Sequence, residues 1–234
     1  MIADYLCALE RALSFDPALA RRVRAEAEDH LREAAASDPI PGREEAERRA
    51  VASFGEPLLV AAEFAALSIV REKRRAGYLL VLGVGLVFAA MKLRVAWYQA
   101  AAWTLAAELQ RAAALTLQVD FWAFWLAAAG AALGWTAALS GTVPAVPARS
   151  RQHPRGGTLR IAIAATAALV IAILADAVLT ALRLVGARPS FAFLPPAASL
   201  ALEIACGVGL VWCVARAVRR TRDAAALIDA VAPR

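Results

Sequence analysis

The stretch "GYLLVLGVGLVFAAM", residues 77–91, contains no charged side chain and decides what kind of protein this is. A helix that crosses about 30 Å of hydrocarbon needs about 20 mainly apolar residues, and this run reaches that length by continuing to about residue 98. Its end carries Lys92, Arg94, Trp97 and Tyr98, two long cations whose heads can snorkel toward water and two aromatics suited to the interface. Three further candidates follow: about 121–143, opening on "FWAFW"; about 160–182, rich in Ala, Ile and Leu with one acid, Asp176; and about 197–215, containing Glu203. The expected fold class is therefore all-α, a small N-terminal helical bundle followed by a polytopic transmembrane helix bundle of four spans.

Composition points the same way. Of 234 residues 61% are hydrophobic and the mean hydropathy is +0.56, too apolar for an ordinary soluble domain. The charges divide the chain: residues 1–75 carry 12 Lys/Arg against 14 Asp/Glu, whereas residues 76–234 carry 14 against 6. The net charge of +6 flanks apolar segments, in 71–75, 149–160 and 216–222, which is the pattern of cytoplasmic loops and calls for no direct nucleic-acid partner. The loop between the second and third spans holds Arg149, Arg151, His153, Arg155 and Arg160 with no acid, so both termini are expected on the cytoplasmic side of a bacterial inner membrane. Topology determination is its first reading, and contact with anionic headgroups or the acidic head its second. A fifth span would place the C-terminal basic cluster outside, so residues 99–120, with Glu108, Gln110 and Arg111, read as an extracytoplasmic interfacial helix or as extensions of the first two spans. The start, "MIADYLCALERALS", has acids and a helical pattern where a cleavable signal has a basic tip and an apolar run. Cys7, Cys206 and Cys213 have neither disulfide nor zinc spacing and read as packing residues.

Ahead of the spans lies a helical module. Ile2, Leu6, Leu9 and Leu13 recur at steps of three to four and give one apolar stripe. Asp16-Pro17 supplies an N-cap and a first-turn proline for a second helix to about Ser37, which "DPIPG" ends. A third helix, about Arg43 to Phe54, is acidic at its start, where negative charge suits the helix dipole, and stops at Gly55. Pro57 opens a fourth. The expected division is a head at 1–70, a basic connecting helix at 71–76, the membrane domain at 77–222 and a tail at 223–234 that is short, amphipathic or disordered.

"RAEAEDHLRE", residues 24–33, is the densest cluster of ligand-type side chains. On a helical wheel His30 falls among Val23, Ala27, Leu31 and Ala34, with Glu26 and Glu33 at the border of that arc and Glu28 and Arg32 facing away. The first expectation is thus a packed, hydrogen-bonded core histidine, with a partner surface or pH response second and a metal ligand last, since no other His or Cys lies nearby in sequence. Arg22 with Glu26 and Asp29 with Arg32 have the spacing of neutralising helix pairs.

Taken together, "RRVRAEAEDHLREAAAS" and "GREEAERRAVASFGEPLLVAAEF" resemble the helical signalling module called HAAS or DUF1700-type, and the related permease prefix domains. The shared pattern is an acidic helix (here Glu26, Glu28, Asp29, His30, Leu31, Glu33), a glycine turn with an "E-E-A" helix (Gly42, Glu44, Glu45, Ala46, Ala50) and a closing "F-G-x-P" turn (Phe54, Gly55, Pro57). Ala27 departs from it, standing where such modules often carry a larger aliphatic residue. The resemblance covers residues 1–70 and implies a cytoplasmic regulatory head that binds a soluble protein, often a PadR-like winged-helix transcription regulator; permease prefix versions precede transporter bodies, for which this chain has no room. Glu26, Asp29, His30 and Glu33 are the residues expected to meet such a partner.

Two features remain in the membrane part. Asp176 and Glu203 are costly in a bilayer, by about 2.5–3.5 kcal/mol on insertion scales, and so are expected to face a partner or a water-filled cavity. Lys92, Arg94 and Arg183 fall near the same level, which makes interhelical ion pairing or protonated carboxylates the first reading, a ligand, ion or pH-sensing site the second, and a proton-coupled path the third. "GAALG", residues 130–134, is a G-x-x-x-G that permits close helix approach within the bundle or, second, in a homodimer. Gly83-Val84-Gly85 follows no strand and is not a nucleotide loop. Without a nucleophile arrangement or metal motif the sequence offers no catalytic residues and no cofactor. The functional expectation is a membrane regulatory or sensory protein; the alternative is a small transporter or channel-accessory subunit using Asp176 and Glu203.

Overall fold

The computed structural model describes residues 1–39, 42–101, 107–139, 157–184 and 193–232. These are all-α: α1 (Ile2–Ala12), α2 (Pro17–Ala36), α3 (Arg43–Phe54), α4 (Pro57–Ala100), α5 (Gln110–Leu139), α6 (Gly157–Leu184) and α7 (Leu194–Val231), with a short 3₁₀ turn at Ala107–Leu109 ahead of α5. The chain forms two compact units, Met1–Glu72 with Val218–Arg234, and Lys73–Ala217.

In the first unit the caps act where the sequence places them. The Asp16 carboxylate accepts from the backbone N–H groups of Ala18 and Leu19, and Pro17 occupies the first turn of α2. Gly55 closes α3 with φ at 100°, a conformation a side chain resists, so that Pro57 can start α4. The core is apolar: Leu6, Leu9 and Leu13 of α1 and its C-cap meet Leu19, Val23, Ala27 and Leu31 of α2, with Ala50 of α3 and Ala61 of α4. The last turns of α7 join this unit and correct the expectation of a separate tail from residue 223. Ala224 is fully buried against Ala65 and Ile69, with Leu227, Ile228 and Phe15 beside them. Arg220 reaches Glu72 at 2.7 Å and Asp16 at 3.3 Å, tying α7 to α4 and to the cap of α2.

The second unit is built on the four helices long and apolar enough to cross a membrane, α4 to α7. Its interior carries Leu80, Val84, Val87, Phe124, Leu169, Ile173 and Leu210 among many alanines. Small residues let backbones approach: a Cβ added to Gly130 would lie 2.6 Å from that of Ala165, whereas Gly134 has open space. Gly130 of the G-x-x-x-G thus faces a neighbouring helix of the same chain. The outer surface is apolar, with Leu82, Leu93, Trp122, Leu126, Val208 and Trp212 exposed, as a bilayer requires. α4 extends to Ala100 and α5 begins at Gln110, eleven residues before the expected opening of the second span at 121, which favours helical extensions over an interfacial helix. The basic loop expectation at Arg149, Arg151, His153 and Arg155 lies outside the described residues, as does the end of the second span beyond Leu139.

Candidate functional site: a buried ion cluster and an adjoining cavity

At the end of the second unit where α4 and α6 finish and α5 and α7 begin, polar side chains converge inside the bundle. Arg94 of α4 is 1% exposed, and its Nη2 donates to both oxygens of Glu203 on α7, at 2.8 and 3.0 Å. The same nitrogen pairs with Asp176 of α6. The Ser199 hydroxyl has one proton for two acceptors, the carbonyl of Ala90 on α4 at 2.9 Å and Glu203 Oε1 at 3.5 Å. One turn along α4, the Tyr98 hydroxyl meets Thr180 Oγ1 of α6 at 3.2 Å. A lone charge at this depth would be expensive; two acids on one guanidinium offset that cost through Nη2, while Arg94 Nε and Nη1 have no hydrogen-bond partner among the described residues. The cluster therefore cross-links α4, α6 and α7.

Beside it a cavity of about 380 Å³ opens between α4, α5 and α6. Phe88, Tyr98, Phe121, Phe124 and Trp125 supply its aromatic wall, and Asp120 and Asp176 reach it from the polar side. Lys92 and Arg183 also line it, but each is engaged with a ring: Lys92 Nζ lies 5.3 Å from the centroid of Phe88, and the Arg183 guanidinium 4.3 Å from that of Tyr98. Of the sequence candidates, Arg94, Asp176 and Glu203 come together as one cluster, while Lys92 and Arg183 stand at the cavity. Asp120 is the residue the sequence reading missed. It lies immediately before "FWAFW", outside the span expected from 121, yet it is 7% exposed in the middle of α5. The signal was the apolar run "AAALTLQV" at 112–119, which places the acid inside a longer helix.

In the first unit Glu26, Asp29, His30 and Glu33 are all exposed on α2. The packed-histidine reading is corrected. Leu19, Val23, Ala27 and Leu31 form the buried seam, with Ala35 partly buried after them, and a seam of four-residue steps drifts by about 40° each time. By residue 30 it has rotated away from His30, although that residue projects close to Val23 on a flat wheel. Arg32 pairs with Glu28 at 2.5 Å in place of Asp29, and Arg24 with Glu10 of α1. Among the described residues no three His, Cys, Asp or Glu side chains converge as metal ligands. No protein-family model matches the chain, and neither the curated proteins nor the solved structures contain a match to it.

Proposed function

We propose that the chain is a regulatory protein of a bacterial inner membrane, with a cytoplasmic helical head that binds a soluble protein and a membrane unit whose ion cluster responds to a ligand or envelope condition. The observation that carries this reading is the exposed row Glu26, Asp29, His30 and Glu33 on α2, a charged rim flanking a seam that is locked in an apolar core. Such a face steers and selects a basic partner. The resemblance of residues 1–70 to HAAS-type modules makes a PadR-like transcription regulator the first partner to look for. α4 and α7 each contribute residues to both units, so a change in how the spans pack has a covalent, helical route to the head. The transporter reading has less support, because Glu203 is fully buried against Arg94 and Ser199 instead of lining a path.

The test is crosslinking of the tagged full-length protein in its native membrane, followed by mass spectrometry, beside a Glu26→Lys/Glu33→Lys variant. The reading predicts a soluble regulator crosslinked to the original chain and lost from the variant. Recovery of membrane transport proteins alone, or of a regulator that survives the charge reversal, sinks it.

A further inference from the structure

The ion cluster and the cavity differ in what they leave unsatisfied. Arg94 pairs with both Glu203 and Asp176, and of these three only Asp176 belongs to the cavity lining. Asp120 lines it too, is more than nine-tenths buried, and makes no direct hydrogen bond or ion pair among the described residues, while the charges of Arg94 and Glu203 act on it from a distance. Burying a carboxylate without a partner is unfavourable, so the cavity's inner wall calls for a cation or a strong donor. The same cavity is lined by the aromatic rings of Phe121, Phe124 and Trp125, and ring faces attract ammonium groups. A metal ion is disfavoured, because such cations want several convergent oxygens, no three potential ligands converge among the described residues, and the cations Lys92 and Arg183 share the lining.

The mouth defines the rest of the ligand. Lys92, Val95, Phe121 and Trp125 are exposed on the apolar flank of the bundle, where the surrounding medium is lipid. A ligand entering there arrives from the bilayer and brings an alkyl chain. The volume falls within the about 300–1,000 Å³ common for small-molecule sites. From these observations we infer that the cavity between α4, α5 and α6 binds an ammonium-bearing amphiphile, its nitrogen on Asp120 and its chain along the aromatic wall. Two sources share that chemistry, a free alkylamine and a lipid whose headgroup ends in an ammonium. They differ at Lys92 and Arg183, which repel the first and attract the phosphate of the second. The inference names the ligand class for the membrane unit of the sensory reading above and rests on that reading only for its effect on the head.

The experiment uses the full-length protein in phosphatidylglycerol nanodiscs, titrated with decylammonium and with decanol while tryptophan fluorescence is followed, then repeated with phosphatidylethanolamine added to the discs. Saturable binding of decylammonium and not of decanol is expected, with Asp120→Glu retaining it and Asp120→Asn weakening it about tenfold, the size of a charge-assisted hydrogen bond. Lys92→Gln serves if the Asp120 variants fail to fold: it tightens decylammonium by removing a competing cation. If phosphatidylethanolamine displaces decylammonium, and Lys92→Gln weakens that displacement, the lipid is the source; if it does not compete, the free amine is. Equal responses to decylammonium and decanol, an Asp120→Asn variant that binds as well as the original, or a Lys92→Gln variant that does not bind decylammonium more tightly overturns the inference. No soluble partner is in the assay, so failure here leaves the partner reading of the head untouched, and failure of the crosslinking leaves this one untouched.

Discussion

Arg32 and Arg94 are the same side chain in opposite surroundings. In the first unit Arg32 stands 69% exposed beside Glu28 on a water-facing helix, and the core beneath is leucine, valine and alanine. In the second unit leucine and tryptophan face outward, and Arg94 sits inside with Glu203 and Asp176. Water does the solvating in one case and other side chains in the other. The hydrophobic effect that assembles the first unit has no purchase between helices already in lipid, so the second relies on close packing of small residues and on polar cross-links.

The largest expected effect tests that dependence. Arg94→Met leaves two carboxylates buried without their cation, and breaking a buried pair from one side costs about 3–5 kcal/mol. Loss of folded protein after mild heating in detergent measures it. Replacing Arg94, Asp176 and Glu203 together with apolar residues of similar volume restores most of that stability, because no uncompensated charge remains. If Arg94→Met melts with the original protein, the inside-out contrast between the units is wrong.

Packing comes next. Gly130→Ala and Gly134→Ala make the same chemical change four residues apart, but only the first drives a methyl into Ala165. Overpacking of that kind costs about 1–3 kcal/mol, so Gly130→Ala is expected to be the less stable of the two by about that amount in thermal unfolding. Equal stabilities would mean that α5 and α6 do not meet at this glycine.

How much of this could be read from the sequence follows from the same contrast. The spans announce themselves because a bilayer demands long uncharged runs, and the ion cluster because Asp176 and Glu203 interrupt them. Asp120 escaped for the converse reason: an acid next to aromatics looks like an interface, and the apolar run at 112–119 that places it inside a longer helix is broken by Thr116 and Gln118. The caps of α2 and α3 were plain, since Asp-Pro and Phe-Gly are local signals. The role of α7 in the first unit was not, because Ala224, Leu227 and Ile228 are a short stripe behind a basic cluster, and what they cover lies far away in sequence. His30 was misplaced because a wheel assumes a straight seam.

A smaller effect concerns a polar atom that the first unit buries badly. The Tyr5 ring packs edge-on against Phe54 at 5.8 Å, but its buried hydroxyl has no hydrogen-bond partner. Burial pushes its pKa above the ordinary tyrosine value. A neutral form favoured by folding means that stability is full below about pH 10 and falls as pH rises through that value. Tyr5→Phe is expected to slow amide exchange in α1 by an amount corresponding to about 1 kcal/mol and to remove the alkaline loss. Faster exchange in the variant would show that the hydroxyl is satisfied after all.

The smallest expected effect closes the comparison. Arg32→Gln removes the same cation type as Arg94→Met, and its partner Glu28 is likewise left behind. Both groups keep water, which screens the pair and solvates whatever survives it, so the change in stability is expected to stay within about 0.5 kcal/mol. Exchange rates of the α2 amides measure it, and raising the salt concentration should bring the two proteins closer still. A cost of several kcal/mol at Arg32 would mean that the rim of α2 is covered in the working protein, as a bound partner over Glu26, Asp29, His30 and Glu33 would cover it. Measured with and without the soluble regulator proposed above, this one substitution separates a solvated face from an occupied one.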